Sequence, residues 1–256
     1  MRIALGLAYD GTGLQGYQTQ PGGATVQDQL EAALARFCET EVPTVAAGRT
    51  DAGVHAQGQV VHLDAPCERP LWSWVRGVNT FLPPAIRVRW AAAVPDDFHA
   101  RFSARSRTYR YRIHNEPVDC PLRARFSTWV FQPLMLETMR AAAQRLIGEH
   151  DFTSFRAAEC QASSPIRRLD RFEVHQHGTD IWVEVEANAF LHHMVRNLVG
   201  SLVEVGRGAQ PVGWLRSLLE AKDRTAAART FPAQGLCLWS VAYDHTFVAE
   251  PPIVLP

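Results

Sequence analysis

The order of strand-like and helix-like segments is the strongest constraint on the fold of this chain. In the first hundred residues, apolar residues alternate between a spacing of two, typical of strands, and a spacing of 3.6, typical of helices. The pattern predicts strands at 2–9, 43–47, 58–64 and 86–93 and helices at 26–38 and 70–78. The helix at 26–38 follows Thr25, a residue type that caps helix N-termini. The predicted order is therefore β-α-β-β-α-β.

The second half repeats this order with one added helix, although no residue-level repeat relates the halves. Strands are predicted at 106–113, 168–175, 180–187 and 236–243, and helices at 134–147, 189–205 and 212–220. Gly178-Thr179 is a hairpin signal between the two central strands. We therefore expect an α+β chain of two tandem ferredoxin-like units, 1–104 and 105–256. Antiparallel sheets would carry helices on one side and leave the other face available, with an active-site cleft between the units.

Composition indicates a globular protein. Hydrophobic residues make up 46% of the 256 residues, and no apolar run approaches the roughly 18 residues of a membrane span. The first residues have a strand pattern and not that of an export signal, so a cytoplasmic location is expected. The five cysteines are widely spread without a C-x-x-C pair, which disfavours both a disulfide framework and a zinc ribbon.

The charged residues bear on nucleic-acid binding. The formal net charge of +0 argues against indiscriminate electrostatic attachment to nucleic acid, but it is compatible with a local basic surface. Lys222 is the only lysine, so 25 of the 26 basic residues (26 minus 1) are arginines. The planar guanidinium suits phosphate binding, while genomic base composition can produce the same bias.

The stretch GRTDAGVH at 48–55 holds the best candidate for a catalytic side chain. A carboxylate on a loop at a strand end can face a ligand with little crowding, and the neighbouring Arg49 can keep Asp51 ionised or hold a phosphate. The alternative is that Asp51 is only a turn former, because Asp and Gly are common in turns for local reasons. Serine triads and the carboxylate pair at 96–97 have weaker support. Asp51 is therefore the preferred catalytic carboxylate.

A glycine-rich stretch near the N-terminus offers a rival motif. Gly11-x-Gly13-x-x-Gly16 follows a predicted strand, as in dinucleotide-binding proteins. That fingerprint needs a helix to open at the glycines, whereas here residues 17–23 intervene. Dinucleotide binding is therefore disfavoured, and close approach of this backbone to some ligand remains an open alternative.

Residues 101–112, RFSARSRTYRYR, combine arginines with tyrosines. In a strand, Tyr109, Tyr111 and Ile113 share one face, and the arginines at 110 and 112 share the other. One interpretation is a phosphate-binding surface beside a tyrosine that stacks on a base. The other is a strand whose tyrosines join the core and whose arginines are merely solvated. The candidate RNA-binding arginines are Arg101, Arg105, Arg107 and Arg110.

The predicted helix at 189–205 places Arg196 at the edge of an apolar stripe. Burying an unpaired arginine is costly, so we expect Arg196 to have a carboxylate partner elsewhere in the fold. His192 and His193 do not share a helix face at metal-chelating spacing, and no acidic residue is expected to complete a site. No metal is therefore expected.

Eight sequence blocks, in order, resemble the tRNA pseudouridine synthase A (TruA) family. They are GRTDAGVHA at 48–56, GVN with LP at 77–83, DFHARFSA at 97–104, SRTYRY at 106–111, DFTSFR at 151–156, NAFLHHMVRNLVGSL at 188–202, KDRT at 222–225 and GLCL at 235–238. The resemblance covers essentially residues 2–243. Tyr17 stands where many members have tryptophan, and the tail 251–256 matches nothing in the family.

The resemblance implies an isomerase that converts uridine to pseudouridine at positions 38, 39 and 40 of the tRNA anticodon stem-loop, without metal or cofactor. By similarity, Asp51 is the nucleophile and Tyr109 contacts the target base. Arg49 would hold the everted nucleotide or its phosphate, and Arg196 would keep Asp51 ionised. A homodimer is also implied. The residues alone leave open a non-catalytic RNA-binding module, which explains the arginines and tyrosines but not Asp51.

Overall fold

The structure is a computed structural model and describes residues 1–244 of the chain. It is an α+β chain with two compact units. Within the described residues, the first comprises Met1–Arg105 together with 238–244, and the second comprises Ser106–Cys237. None of the helices within residues 1–244 is long and apolar enough to cross a membrane.

The first unit contains six elements before residue 105. They are β1 (Arg2–Tyr9), α1 (Val26–Cys38), β2 (Val45–Ala46), β3 (His55–Asp64), α2 (Leu71–Phe81) and β4 (Ile86–Val94). β1 lies between β3 and β4 and is antiparallel to both, and β2 pairs antiparallel with β3. The element order is therefore the β-α-β-β-α-β order that the sequence predicts.

Two helices cover one face of this sheet. α1 begins at the predicted residue because Thr25 forms a capping box: its side chain accepts from the Asp28 backbone N–H at 3.2 Å. Leu30 and Leu34 of α1 are fully buried. The Phe37 ring of α1 packs edge to face on the Trp74 ring of α2, with centroids 5.3 Å apart. These contacts form the main core of the unit.

The opposite face is partly covered, whereas the sequence analysis expected it to be available. Ala4 and Val60 contribute to a second buried cluster with Phe98 and Ala100. Tyr243 packs on this cluster, with its ring 5.1 Å from that of Phe98 and its hydroxyl donating to the Ala100 carbonyl at 2.7 Å. Phe98 and Tyr243, which are far apart in the sequence, therefore cover part of this face of the sheet.

The second unit contains most of the remaining elements. They are β5 (Ala104–Asn115), β6 (Thr128–Val130), α3 (Leu136–Gln144), β7 (Gly148–Asp151), β8 (Ile166–His177), β9 (Asp180–Ala187), α4 (Met194–Gly206) and α5 (Trp214–Ala221). The sheet order is β5-β9-β8-β7 with antiparallel neighbours, and β6 pairs parallel with β5. The predicted hairpin is confirmed, because His177 pairs with Asp180 across Gly178, whose φ is +59°.

The last strand, β10 (Leu236–Tyr243), begins in the second unit, and its residues from Leu238 onward belong to the first. The expected division 1–104 and 105–256 had assigned the whole strand to the second half. The difference follows from packing, because Val241 and Tyr243 lie against the cluster around Phe98. Residues distant in sequence thus complete the first unit.

Several element boundaries differ from the prediction. β2 has two residues instead of five, because the Thr44 backbone N–H donates to the Glu31 side chain at 2.8 Å instead of to a neighbouring strand. α4 begins at Met194 and not at 189, because His193 has a left-handed conformation, with φ +60°. The short strands β6 and β7 were not predicted.

Candidate active site

Asp51 lies in the loop between β2 and β3 of the first unit. The Val54 backbone N–H donates to the Asp51 carbonyl at 3.1 Å, and Gly53 has φ +78°. Asp51 is thus part of a turn, as the local interpretation requires, but main-chain groups close that turn. The Asp51 residue is half-buried and Arg49 is exposed. A turn former and a presented carboxylate are therefore compatible descriptions of the same residue.

Side chains from two strands hold this loop in place. The buried Gln59 amide of β3 donates to the Gly48 carbonyl at 2.7 Å. The Tyr9 hydroxyl of β1 forms a hydrogen bond of 2.8 Å with the Thr50 hydroxyl. On the main chain, the Tyr17 N–H donates to the Thr50 carbonyl at 3.0 Å. Tyr9 and Gln59 were not predicted as site residues, because their only signal in the sequence is a polar group inside an apolar strand.

The glycine-rich stretch supports the same loop. A Cβ atom at Gly11 would lie 2.1 Å from the Val54 carbonyl oxygen, and one at Gly16 would lie 2.8 Å from the Thr50 carbonyl oxygen. Only glycine permits such approaches between two backbones. The chain between these glycines also accepts a hydrogen bond at the Leu14 carbonyl from the Gly53 N–H, at 3.3 Å. The close approach left open by the sequence is therefore to the Asp51 loop.

His55 fixes the other end of the loop. Its Nδ1 atom accepts from the Gly11 backbone N–H at 3.0 Å and lies 3.2 Å from the Asp10 carboxylate. The His55 side chain is almost fully buried. Because this ring joins the loop to the end of β1, we regard it as a positioning residue that the sequence analysis also missed.

Tyr109 lies on β5 in the second unit, directly opposite Val185 of β9. Its ring packs edge to face on Phe190, with centroids 5.1 Å apart, and the residue is 8% exposed. The predicted alternation is confirmed, because Tyr111 and Ile113 are buried on the same face. Tyr109 is therefore a largely buried aromatic ring with a small accessible surface.

Tyr111 has a structural role in the second unit. Its hydroxyl bonds to Thr128 at 2.5 Å and donates to the Pro232 carbonyl at 2.7 Å. Burial raises the pKa of Tyr111 far above its ordinary value. A Cβ at Gly235 would lie 2.5 Å from the Tyr111 ring, which accounts for the glycine that opens the GLCL block.

Three of the four candidate RNA-binding arginines have acceptors within their own units. Arg110 pairs with Glu184 at 2.5 Å, and Arg107 donates to the Asn188 carbonyl at 2.8 Å. Arg105 pairs with Asp244. Arg101 is exposed, and its guanidinium carbon lies 5.6 Å from the centre of the Phe102 ring. A guanidinium group has five N–H donors, so an arginine that bonds to a protein acceptor can also bond to a phosphate. The contribution of these arginines to RNA binding stays a prediction.

Arg196 lies in the first turn of α4. Its Nε donates to the Phe231 carbonyl at 2.7 Å, and the Phe231 N–H donates back to the Arg196 carbonyl at 3.3 Å. A main-chain segment thus fixes the base of the guanidinium. The expected carboxylate partner of Arg196 stays a prediction.

Three of the family-like blocks meet beneath α4. The buried Asn197 donates to the Phe155 carbonyl at 2.8 Å and accepts from Arg224 at 3.1 Å. Burial lowers the pKa of Arg224. Ser154 accepts from the Asp223 N–H at 2.8 Å. These residues of the DFTSFR, NAFLHHMVRNLVGSL and KDRT blocks support one another.

The two adjacent histidines precede α4, although the sequence analysis placed them on the helix. The His192 carbonyl accepts from the Ala157 N–H at 3.0 Å, and the two imidazole rings are 4.0 Å apart. Helical spacing therefore does not apply to this pair. The expectation that no metal is needed stays a prediction.

Comparison with known proteins identifies the family. The sequence profile described as tRNA pseudouridine synthase matches residues 7–103 and 142–244. The chain belongs to the tRNA pseudouridine synthase family. Arg49, Asp51 and Arg196 fall inside the matched ranges of the synthase profile, whereas Tyr109 lies between them.

Individual relatives agree with the tRNA pseudouridine synthase profile. The chain is 58% identical over 248 residues to the tRNA pseudouridine synthase A of Bordetella petrii, covering 96% of this chain and 92% of that one. It is 56% identical over 249 residues to the protein of the same name from Janthinobacterium, covering 95% and 92%. The one from Burkholderia mallei is 52% identical over 251 residues, covering 98% and 93%. The resemblance drawn from the sequence blocks is thus confirmed.

Proposed function

We propose that this protein isomerises uridine to pseudouridine at positions 38, 39 and 40 of the tRNA anticodon stem-loop, with Asp51 as the nucleophile. Membership of the tRNA pseudouridine synthase family supports the reaction. The observation that carries the assignment to Asp51 is its loop, which Gln59, Tyr9 and the glycine-rich stretch hold from three sides. Preorganisation of this kind is expected of a reacting group.

The fold proposal is a tandem pair of ferredoxin-like units. The strand order of the first unit, with β1 between β3 and β4, supports it. In the second unit, β5-α3-β8-β9-α4-β10 follows the same alternation, with β6, β7 and α5 as additions. We propose that the duplication lies at the level of architecture, because the two halves have no residue-level repeat.

The chemistry conserves all atoms. The bond between ribose C1′ and uracil N1 breaks, a bond between C1′ and C5 forms, C5 loses a proton and N1 gains one. Asp51 would attack either C1′ of the ribose or C6 of the uracil and be released when the base is reattached. Because there is no net oxidation and no group is added, we propose that neither cofactor nor metal takes part.

The other predicted site residues would bind the substrate. Tyr109 would contact the base, and its packing on Phe190 supports a fixed ring position. Arg49 is exposed, as a side chain that holds a flipped nucleotide or its phosphate must be. Arg196 would hold Asp51 in its ionised form. We also propose a homodimer and a cytoplasmic location.

The deciding experiment incubates the purified protein with unmodified tRNA and maps pseudouridine by carbodiimide labelling. We expect label at positions 38–40 with the wild type, none with Asp51→Ala, and tRNA binding by both. Asp119→Ala, an exposed carboxylate in the second unit, is the matched control and keeps full activity. Modification by purified Asp51→Ala would exclude Asp51 as the nucleophile. Binding without any modification by the wild type would instead indicate a non-catalytic RNA-binding module.

A further inference from the structure

A surface cavity of about 530 Å³ lies in the second unit, at the C-terminal end of α4. Sites for small molecules commonly have volumes of about 300–1,000 Å³, so the cavity can hold a nucleotide. It is formed by the end of α4, the start of α5 and the segment that follows the KDRT block. Its lining residues are Glu204, Arg207, Gln210, Trp214, Ala226, Ala227, Ala228 and Arg229.

The polar groups of this cavity are mainly hydrogen-bond donors. Within residues 1–244, the side chains of Arg229, Gln210 and Trp214 have no hydrogen bond or ion pair with protein groups. Arg207 pairs with Glu204, the single acidic residue of the lining. Two guanidinium groups against one carboxylate leave a formal charge of +1, which favours an anionic ligand.

We propose that this cavity binds a nucleoside monophosphate unit, either as a nucleotide of an RNA chain or as a free molecule. The phosphate would lie on Arg229 and Arg207, because guanidinium groups match phosphate oxygens in a bidentate manner. The base would stack on the indole of Trp214, with the Gln210 amide available for its edge. The RNA form of the proposal rests on the proposed function, since the substrate would then be the ligand.

The cavity wall is continuous with the segment that holds Arg196. The Arg229 carbonyl approaches α4 at Gly200, where a Cβ would lie 2.5 Å from its oxygen. Two residues later, the Phe231 carbonyl accepts from Arg196. Along α4, Arg196 and Arg207 are eleven positions apart, or about 16 Å at 1.5 Å per residue.

The test compares two variants of the full-length protein. The double variant Arg207→Gln/Arg229→Gln removes the proposed phosphate ligands. Arg216→Gln, on the exposed face of α5 and outside the cavity, removes one positive charge, whereas the double variant removes two. The probes are unmodified tRNA and uridine 5′-monophosphate, with binding measured over a range of KCl concentrations. Unfolding curves check that both variants are folded.

For the RNA form, we expect the double variant to bind tRNA about tenfold more weakly and to lower the salt slope of log K by about 1.4–1.8, or 0.7–0.9 per lost phosphate contact. KM should rise while kcat is unchanged, because binding outside the reacting centre is lost. Arg216→Gln should match the wild type. For the free form, uridine 5′-monophosphate should bind the wild type and not the double variant.

The cavity proposal is overturned if the folded double variant binds both probes with the affinity and salt dependence of Arg216→Gln. An equal loss in both variants also overturns it, since that loss would reflect overall charge. Failure of the proposed function gives a different result, in which the wild type makes no pseudouridine while the two binding measurements still decide the cavity.

Discussion

The side-chain amide of Gln59 donates to the main-chain carbonyl of Gly48 at 2.7 Å. Gln59 is fully buried on β3, and its amide oxygen accepts from the Val60 N–H at 3.2 Å. The Tyr9 hydroxyl lies 3.4 Å from the same amide nitrogen. The buried side chain of Gln59 thus fixes the position of Gly48, where the loop that contains Asp51 leaves the sheet.

We expect Gln59→Met to reduce kcat by about tenfold or more with little change in KM, because small displacements of a reacting group are costly. The substitution leaves the half-buried Gly48 carbonyl without its donor, which should lower the free energy of unfolding by about 1 kcal/mol. Steady-state kinetics and urea unfolding measure the two effects. Gln57→Met, on the exposed part of the same strand, is the control. A normal kcat in folded Gln59→Met would show that the loop does not depend on this contact.

Gly13 and Gly16 both have left-handed backbones, but only at Gly16 would a Cβ atom collide with a neighbouring carbonyl. The pair therefore separates the cost of backbone strain from the cost of a steric clash. Gly13 has φ +77° and nothing within 4 Å of a Cβ, whereas Gly16 has φ +86° and the Thr50 carbonyl at 2.8 Å. Gly13→Ala should cost only the conformational strain, about 1–2 kcal/mol. Gly16→Ala should cost clearly more and also lower kcat, because the loop with Asp51 must move. Urea unfolding of both variants gives the comparison, and equal losses in stability would contradict the packing argument.

Sequence patterns predicted an element well where interactions between residues close in the sequence determine it. The helix at 26–38 was predicted with its observed bounds because Thr25 and the apolar spacing act within a few residues. The start of α4 was wrong because Phe190 and Leu191 have helical spacing but lie in the preceding loop. The left-handed backbone of His193, a conformation uncommon for residues other than glycine, was not predicted from the sequence. β6 was missed because three residues are too few to show a period of two.

The sequence indicated the reacting residue of the site but not the residues that hold it in position. Asp51 stands out because of its neighbours in the sequence, but Tyr9 and Gln59 reach the loop across 41 and 11 positions. Likewise, the pairing of Arg110 with Glu184 follows from strand register, because the two residues face each other across β5 and β9. Register is set by the whole sheet, so such partners could not be read from one strand.

Tyr109 allows stacking to be distinguished from proton transfer. Tyr109→Phe keeps the edge-to-face contact with Phe190 and removes only the hydroxyl. Tyr109→Leu should lose about 0.5–1.5 kcal/mol of aromatic packing. If Tyr109 acts by stacking on the base, kcat/KM for unmodified tRNA should fall far less in Tyr109→Phe than in Tyr109→Leu. Equal losses in kcat/KM would rule out a purely stacking role and implicate the hydroxyl.

A buried histidine in the first unit predicts acid sensitivity. His62 Nδ1 accepts from the Ala100 N–H at 3.1 Å, which requires an unprotonated nitrogen. Burial lowers the pKa of His62 from 6.5 to about 4, assisted by repulsion from Arg2 and from His99 when that ring is protonated, and opposed by Asp64. Burial also lowers the pKa of His99, whose ring lies 4.8 Å from that of His62. Both rings are therefore neutral in the folded protein at neutral pH.

The direction of the pH effect follows from proton uptake. Between pH 6.5 and about 4, the unfolded chain binds a proton at His62 that the folded protein does not, so stability falls as the pH is lowered through this range. At about 1.4 kcal/mol per pKa unit, the loss is no more than about 3–4 kcal/mol. His62→Asn can keep an acceptor for Ala100 without titrating, so its free energy of unfolding should vary less with pH. His175→Asn, an exposed histidine of the second unit, is the control. Urea unfolding at pH 7, 5.5 and 4.5 measures the slopes, and identical slopes for wild type and His62→Asn would place the acid sensitivity elsewhere.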